Sequence, residues 1–327
     1  MKILAISSKD ITSLLSMEDC IEAMEQTLAN LAGGQIVLPL RQVYRITGNP
    51  GVLAVMPAVD SGAGILGAKI LSVFHENYKV GRDSHQGMVV LFESGHGMPL
   101  AVLNASEITG IRTAAVSAVA TRHLARKSAT ELMVMGCGLQ ALKHLEALRL
   151  VRPITRVYAW DPFPGAAESF AKKAFQDFGI KVVTDSGERP GKTGADIICT
   201  LTPSREPVLF GADVGHGTHI NAVGACSPSA RELDSELVRK SRVFVDQKEA
   251  ALHEAGDILI PISEGRVAGD HIVGEIGQVC SGEIKGRISD GDITLFESVG
   301  IAIEDLAAAN LVYEKALRAG VGARIEL

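Results

Sequence analysis

The sequence predicts an α/β protein: a doubly wound parallel sheet joined to a discontinuous α+β domain. Three observations carry that expectation. From residue 131 onward, short apolar runs alternate with helical stretches, the rhythm of parallel strands linked by crossover helices. Before that point, residues 35–104 break into short apolar runs between glycine-containing turns, a β-rich texture without the helical interludes. Finally, residues 299–319 read as a long helix beyond the last expected strand of the parallel sheet, so it is expected to pack back on the first domain. The expected division is 1–118 with 303–327 for one domain and 119–302 for the other.

Each element has its own signal. Residues 11–32 read as helix, with Ser16 a cap before Met17, Ile21, Met24 and Leu28 at helical spacing and Gly33-Gly34 as the stop. The apolar runs 52–56, 67–73 and 88–92 are expected strands. Residues 105–125 return to helix. The parallel sheet then begins, with expected strands at 131–135, 156–160, 181–184, 196–201, 219–223 and 243–246. Helices are expected at 139–150 and 166–178, the second closed by Gly179, and in the KEAALHEAG segment after 246.

Length and composition set the outer bounds. The chain has 327 residues and a mass of 34.5 kDa, enough for about two domains. Hydrophobic residues make up 46% and charged residues 21%, which excludes a disordered chain. Thirty-two basic residues against 38 acidic ones leave a formal charge of −6, which argues against nucleic-acid or anionic-membrane partners. No apolar run approaches the ~18 residues of a membrane span. The N-terminal apolar stretch is too short for a secretory signal, so a cytoplasmic protein is expected. The five cysteines (Cys20, Cys137, Cys199, Cys226 and Cys280) include no CxxC, and neither a disulfide framework nor a metal site is expected.

The chemistry-bearing motif is the turn after the run ELMVM: Gly136-Cys137-Gly138-Leu139-Gln140-Ala141. It reads G-x-G-x-x-A. The first glycine permits the tight turn, the second lets a pyrophosphate approach the backbone, and the alanine lets helix and strand pack closely. Free N–H groups and the helix dipole then favour phosphate. Asp161, at the end of the next expected strand, supplies the acid that accepts hydrogen bonds from a ribose. Strand, turn, helix and acid together predict a Rossmann-type site for NAD or NADP. Asp161 repels a 2′-phosphate and is followed by Pro162 and Phe163 rather than arginine, which favours NAD. By contrast, Gly187–Thr193 only imitates a P-loop, with three residues between its glycines where four are required, and is expected to be a surface loop.

A nicotinamide enzyme must also hold a substrate. Three cations lie in small or apolar surroundings: Arg41 in LPLRQV, Lys69 in GAKILSV and Arg112 in ITGIRTAAVSA. Burying such a group is costly without a partner. An anionic substrate is one candidate partner, an internal salt bridge the other.

Several segments, in order, extend the pattern: Leu38-Pro39-Leu40-Arg41, Met56-Pro57-Ala58, Ala68-Lys69, Ser84-His85-Gln86-Gly87 and Arg112-Thr113-Ala114-Ala115. They continue through the glycine-rich turn to Ile220-Asn221-Ala222-Val223-Gly224, Arg231-Glu232-Leu233-Asp234, Val245-Asp246 and Phe296-Glu297-Ser298-Val299-Gly300. On these the chain resembles the ornithine cyclodeaminase/μ-crystallin family over most of its length. The resemblance implies a homodimer built through the N-terminal β-rich domain plus the C-terminal helix. It implies that Arg41, Lys69 and Arg112 hold a substrate carboxylate. It further implies that Ser84, His85, Arg112, Thr113, Thr202, Val223, Gly224 and Ser298 line the cofactor beside Gly136, Gly138, Leu139, Gln140 and Asp161.

One departure is informative. The family's cyclodeaminases and alanine dehydrogenases carry an aspartate two residues after NAVG or its equivalent, where this chain has Cys226. A thiol with an ordinary pKa near ~8.5 is a poor general base at neutral pH. The family's ketimine reductases also lack that aspartate. The resemblance thus implies an NAD(P)H-dependent reductase of cyclic ketimine carboxylates, Δ1-pyrroline-2-carboxylate or Δ1-piperideine-2-carboxylate, giving proline or pipecolate. Ornithine cyclodeamination, an amino-acid or opine-type dehydrogenase and a non-catalytic nucleotide-dependent binding protein are the alternatives.

Overall fold

The computed structural model describes residues 2–48, 51–185 and 194–326, so the P-loop-like segment 187–193 lies outside the described residues. The chain divides into two compact units, 1–113 with 301–327 and 114–300, the first break falling within the helix Ala105–Leu124. The strands in chain order are β1 (Lys2–Ile6), β2 (Ile36–Val37), β3 (Gln42–Arg45), β4 (Val52–Asp60), β5 (Ile65–Val73), β6 (His85–Glu93), β7 (Pro99–Asn104) and β8 (Glu131–Met135). They continue with β9 (Arg156–Trp160), β10 (Val182–Asp185), β11 (Ile197–Thr200), β12 (His219–Ala222), β13 (Arg242–Val245), β14 (Ile272–Glu275), β15 (Thr294–Glu297) and β16 (Ala323–Glu326).

In the first unit a mixed sheet runs β16-β1-β7-β6-β5-β4-β2, with β3 also paired to β4. The β1–β7 pair is parallel and the other pairs are antiparallel. Side chains alternate along β4: Ala54, Met56, Ala58 and Asp60 are buried, while Leu53 is exposed and Val55, Pro57 and Val59 are half-buried. The inner face is covered by the helix Ala302–Ala319, on which the helix Met17–Ala32 packs in turn. Lys69 belongs to that inner face, in register with Met56 on β4 and Val89 on β6.

One expectation needs correcting here. The helix expected over 11–32 is two helices, Ser8–Leu14 and Met17–Ala32, because Leu15 is extended and the Ser16 hydroxyl accepts from the Asp19 N–H to start the second. The strands β1 and β16 carry no strong local signal; they are strands because they pair with each other and β1 with β7.

The second unit holds an all-parallel sheet in the order β10-β9-β8-β11-β12-β15-β13-β14. Its winding reverses between β8 and β11, the switch point at which ligands bind in doubly wound folds. The α/β class is the one expected from sequence, an all-parallel sheet beside a mixed sheet formed from N- and C-terminal segments. No helix among the described residues is long and apolar enough to cross a membrane.

Candidate active site

In the second unit the predicted residues gather at one edge. Gly136 follows β8, Asp161 follows β9, Thr202 lies just past β11, Val223 and Gly224 follow β12, and Ser298 follows β15. All are at the carboxyl ends of parallel strands. Gly136 has φ +94°, and a Cβ there would press within 2.8 Å of the Leu201 carbonyl group, so only glycine fits where the turn crosses the switch point. A Cβ at Gly138 would meet nothing within 4 Å, which leaves room beside the backbone for a pyrophosphate. Gly138 caps the helix Leu139–Val151 without any side-chain bond to its first turn.

Asp161 is held from both sides: its Oδ2 accepts the Cys137 N–H at 2.7 Å and its Oδ1 accepts the Phe163 N–H at 2.9 Å. That fixes the carboxylate beside the glycine turn with lone pairs left for ribose hydroxyls. Leu139 and Phe163 are both exposed apolar side chains flanking the same turn. Cys137, within the turn, is no nucleophile, since burial pushes its thiol up to about 12. These features fit a dinucleotide.

A residue that the site list from sequence left out organises this edge. Glu232 is fully buried; its Oε1 accepts the Thr202 N–H at 2.6 Å and the Thr202 hydroxyl at 2.7 Å, and its Oε2 accepts the Gly224 N–H at 2.8 Å. One carboxyl thus ties together the loops after β11 and β12. A Cβ at Gly224 would overlap the Thr202 carbonyl oxygen, so the two loops are in close approach. Deeper lie Asp257 and Glu297, each with a buried carboxyl oxygen that has no partner among the described residues. Burial raises both well above the ordinary carboxylate range, and for Glu297 the charge of Asp257 adds to it. Cys226, at the position of the missing aspartate, is exposed and its thiol donates to the Val223 carbonyl at 3.3 Å.

The first unit gathers the cations. Lys69 is 2% exposed and Arg112 is 4% exposed. Neither is bare. Lys69 Nζ lies 2.6 Å from Asp305 Oδ2, and Arg112 Nε donates to Asp305 Oδ1 at 3.0 Å. Arg112 also donates to Glu304 Oε2 at 2.5 Å. The internal salt bridge weighed from sequence is therefore present, and it brings the two cations to a single carboxylate. Burial lowers the Lys69 ammonium to about 8, with Asp305 opposing and Arg112 and Arg41 adding to the fall. Burial works against Asp305 ionisation, yet the adjacent Arg112 and Lys69 charges hold it below its ordinary value.

Arg41 lies in the segment before β3, close enough to repel the Lys69 charge. Ser84 directly precedes β6 and His85 opens it; the Ser84 hydroxyl and His85 Nδ1 are 2.9 Å apart and His85 is exposed. Thr113 is buried beside Arg112. The sequence reading named the cations but not Glu304 and Asp305. The signal was available: two adjacent acids in the first turn of a helix whose first half is otherwise apolar, both of which prove fully buried.

The sequence pattern of the ornithine cyclodeaminase/mu-crystallin family matches residues 2–320. The chain belongs to this family. A delta(1)-pyrroline-2-carboxylate reductase of Bacillus cereus is 38% identical over 324 residues, 99% of each chain. Among solved structures, Thermococcus litoralis delta(1)-pyrroline-2-carboxylate reductase in complex with NADH and L-proline has a TM-score of 0.96 at 40% identity, covering 99% of this chain and 100% of that one. An archaeal alanine dehydrogenase dimer with bound NAD has a TM-score of 0.94 at 36% identity, covering 100% of both. As a member of the ornithine cyclodeaminase/mu-crystallin family, the chain is an NAD(P)-dependent oxidoreductase of the reductase and dehydrogenase type.

Proposed function

We propose that this family member reduces cyclic ketimine carboxylates, Δ1-pyrroline-2-carboxylate or Δ1-piperideine-2-carboxylate, to proline or pipecolate. The observation that carries the reading is the convergence of Lys69 and Arg112 on one carboxylate: two buried cations already arranged around an oxyanion are prepared to take a second, the substrate's. Full-length similarity to pyrroline-2-carboxylate reductases supports it. Arg41 completes the anchor. The nicotinamide supplies a hydride when bound. Lys69, or a water it orients, donates the proton that the imine nitrogen needs. Anchoring the carboxylate fixes the C=N group in one orientation, which removes most of the entropic cost of the encounter.

Similarity to alanine dehydrogenase favours a second reading, amino-acid dehydrogenation. Cys226 weighs against it, because the thiol donates to a carbonyl and is not a base for a substrate ammonium. A cyclic imine requires no handling of free ammonia, and the same argument weighs against cyclodeamination. Ser84, His85, Thr113, Thr202, Val223, Gly224 and Ser298 line the cofactor in this reading, and Asp161 favours NADH over NADPH.

The first unit is the substrate-binding and dimerisation domain. Its sheet face opposite the helix Ala302–Ala319 is apolar: Leu53, Tyr44 and Met88 are exposed, and Val55 and Ile70 half-buried. A second copy of this chain covers such a face.

Mixing the protein with NADH or NADPH and each imine, and following cofactor absorbance, tests the assignment. Oxidation is expected with at least one imine and faster with NADH. Oxidation with neither, together with ammonia release from ornithine, overturns it. Asp161→Ser is expected to shift the NADH:NADPH preference about tenfold toward NADPH; an unchanged ratio removes Asp161 from the ribose.

A further inference from the structure

We propose that Asp305 is a positioning residue that keeps Lys69 in its ammonium form beside Arg112, so that a proton is in place when substrate binds; the substrate part rests on the reading above. The geometry is specific. The Asp305 carboxylate meets Lys69 Nζ at 2.6 Å through Oδ2, and through Oδ1 it accepts Arg112 Nε at 3.0 Å and the Thr109 hydroxyl at 3.4 Å. The Thr109 hydroxyl also lies 3.4 Å from Lys69 Nζ. Lys69, Asp305, Arg112 and Thr109 therefore form one closed group spanning β5 and two helices.

The charges facing Lys69 can be named element by element. Asp305 comes from the helix Ala302–Ala319, Arg112 from the helix Ala105–Leu124 and Arg41 from the segment before β3. Its in-register strand neighbours, Met56 and Val89, are apolar. Burial and two cations all press Lys69 to shed its proton, and Asp305 opposes them. Glu304, the adjacent acid on the same helix, is engaged elsewhere: it accepts from Arg112 at 2.5 Å and from the Ile301 N–H at 3.3 Å. The two neighbouring acids thus have different duties. Glu304 holds Arg112, whereas Asp305 bridges Arg112 to Lys69.

The step served is a single proton transfer. An Nζ–H bond of Lys69 breaks, an N–H bond forms on the substrate nitrogen, the electron pair stays on Nζ, and solvent returns a proton afterwards. Asp305 makes no bond to substrate and keeps its charge throughout.

The test titrates Lys69 directly in the intact protein. Lysine labelled with 13C at Cε reports the charge on Nζ by NMR, and Lys69→Arg assigns the signal. In the wild type the midpoint is expected at about 8. In Asp305→Asn it is expected at least one pH unit lower, a tenfold loss of proton affinity, and the alkaline limb of kcat/KM moves down by the same amount. Asp305→Glu restores the limb. Glu304→Gln removes a buried acid from Arg112 and leaves the Lys69 midpoint in place. An unchanged midpoint in Asp305→Asn, or an equal shift in Glu304→Gln, overturns the assignment. Should Asp305→Asn not fold, the wild type still decides, because a Lys69 already neutral at pH 7 has no anion holding its proton. A protein that titrates as expected but reduces neither imine upholds the Asp305–Lys69 assignment and overturns the substrate reading instead.

Discussion

The two units bury charge in opposite ways. In the first, Lys69 and Arg112 are matched by Asp305 and Glu304, and each of the four meets a neighbour of opposite sign. In the second, Glu232, Asp257 and Glu297 are buried near one another. Burial pushes all three up, and like charge adds to the rise for Asp257 and Glu297. Glu232 and Asp257 accept backbone N–H groups, two or more apiece. The difference teaches what each unit is built to do. Paired opposite charges hold the two cations in place, as the proposed carboxylate anchor requires. Acids whose ionisation burial disfavours, two of them accepting loop N–H groups, form a scaffold that fixes those loops.

The largest test of that contrast is Lys69→Met. It leaves Asp305 with less than its full complement of counter-charge, so unfolding free energy is expected to fall by about 3 kcal/mol. Loss of the anchor lowers kcat/KM by about 10³-fold or more, measured as cofactor oxidation on protein shown by circular dichroism to be folded. Retention of near-wild-type turnover moves the anchor elsewhere.

In the second unit the matching change is Glu232→Ala. It strands the Thr202 and Gly224 N–H groups, at about 1–3 kcal/mol each if buried unpaired. NADH is expected to bind about 10–100-fold more weakly. The only tryptophan, Trp160, ends β9 directly before Asp161, so its quenching by NADH reads that binding. Unaltered NADH affinity would show that the two loops do not need their shared carboxyl.

The smallest effect sharpens the comparison most. Glu297→Gln is nearly isosteric and replaces an acid whose ionisation burial disfavours, so a cost under about 1 kcal/mol is expected. The pH dependence gives the sign. A raised carboxyl contributes stability below its unfolded value of 4.5 that is lost as pH rises toward its folded value, so Glu297→Gln should gain on the wild type as pH increases. Asp305 is lowered, and its contribution is present above 3.8 and lost as pH falls, so the deficit of Asp305→Asn should shrink as pH falls below about 4. Denaturation midpoints compare the two, below about pH 5 for Asp305→Asn and above about pH 5 for Glu297→Gln, and parallel trends would erase the distinction drawn here.

Much of the second unit was legible. The strands Glu131–Met135 and Arg156–Trp160 and the helix Ala166–Phe178 have the expected limits, because apolar periodicity ends at glycine or turn residues there. The closing Gly179 has φ +69°, as a left-handed helix stop requires. β14 and β15 were missed, since Ile272–Glu275 and Thr294–Glu297 are four-residue runs whose identity comes from pairing with β13. In the first unit the odd placement of Lys69 and Arg112 was visible, but their partners were not. Asp305 meets Arg112 across 193 residues of chain, a separation over which local pattern carries no information.

From composition, periodicity and the glycine-rich turn alone came the fold class, the coenzyme type and the suspicion attached to three cations. Those properties are local: they depend on which residues lie within a few positions of one another. The charge state of Lys69, the carboxyl that joins the loops after β11 and β12 and the apolar outer face of the mixed sheet were decided by folding. A buried group's ionisation is set by whatever the fold brings within a few ångströms of it, and here that is a helix from the far end of the chain.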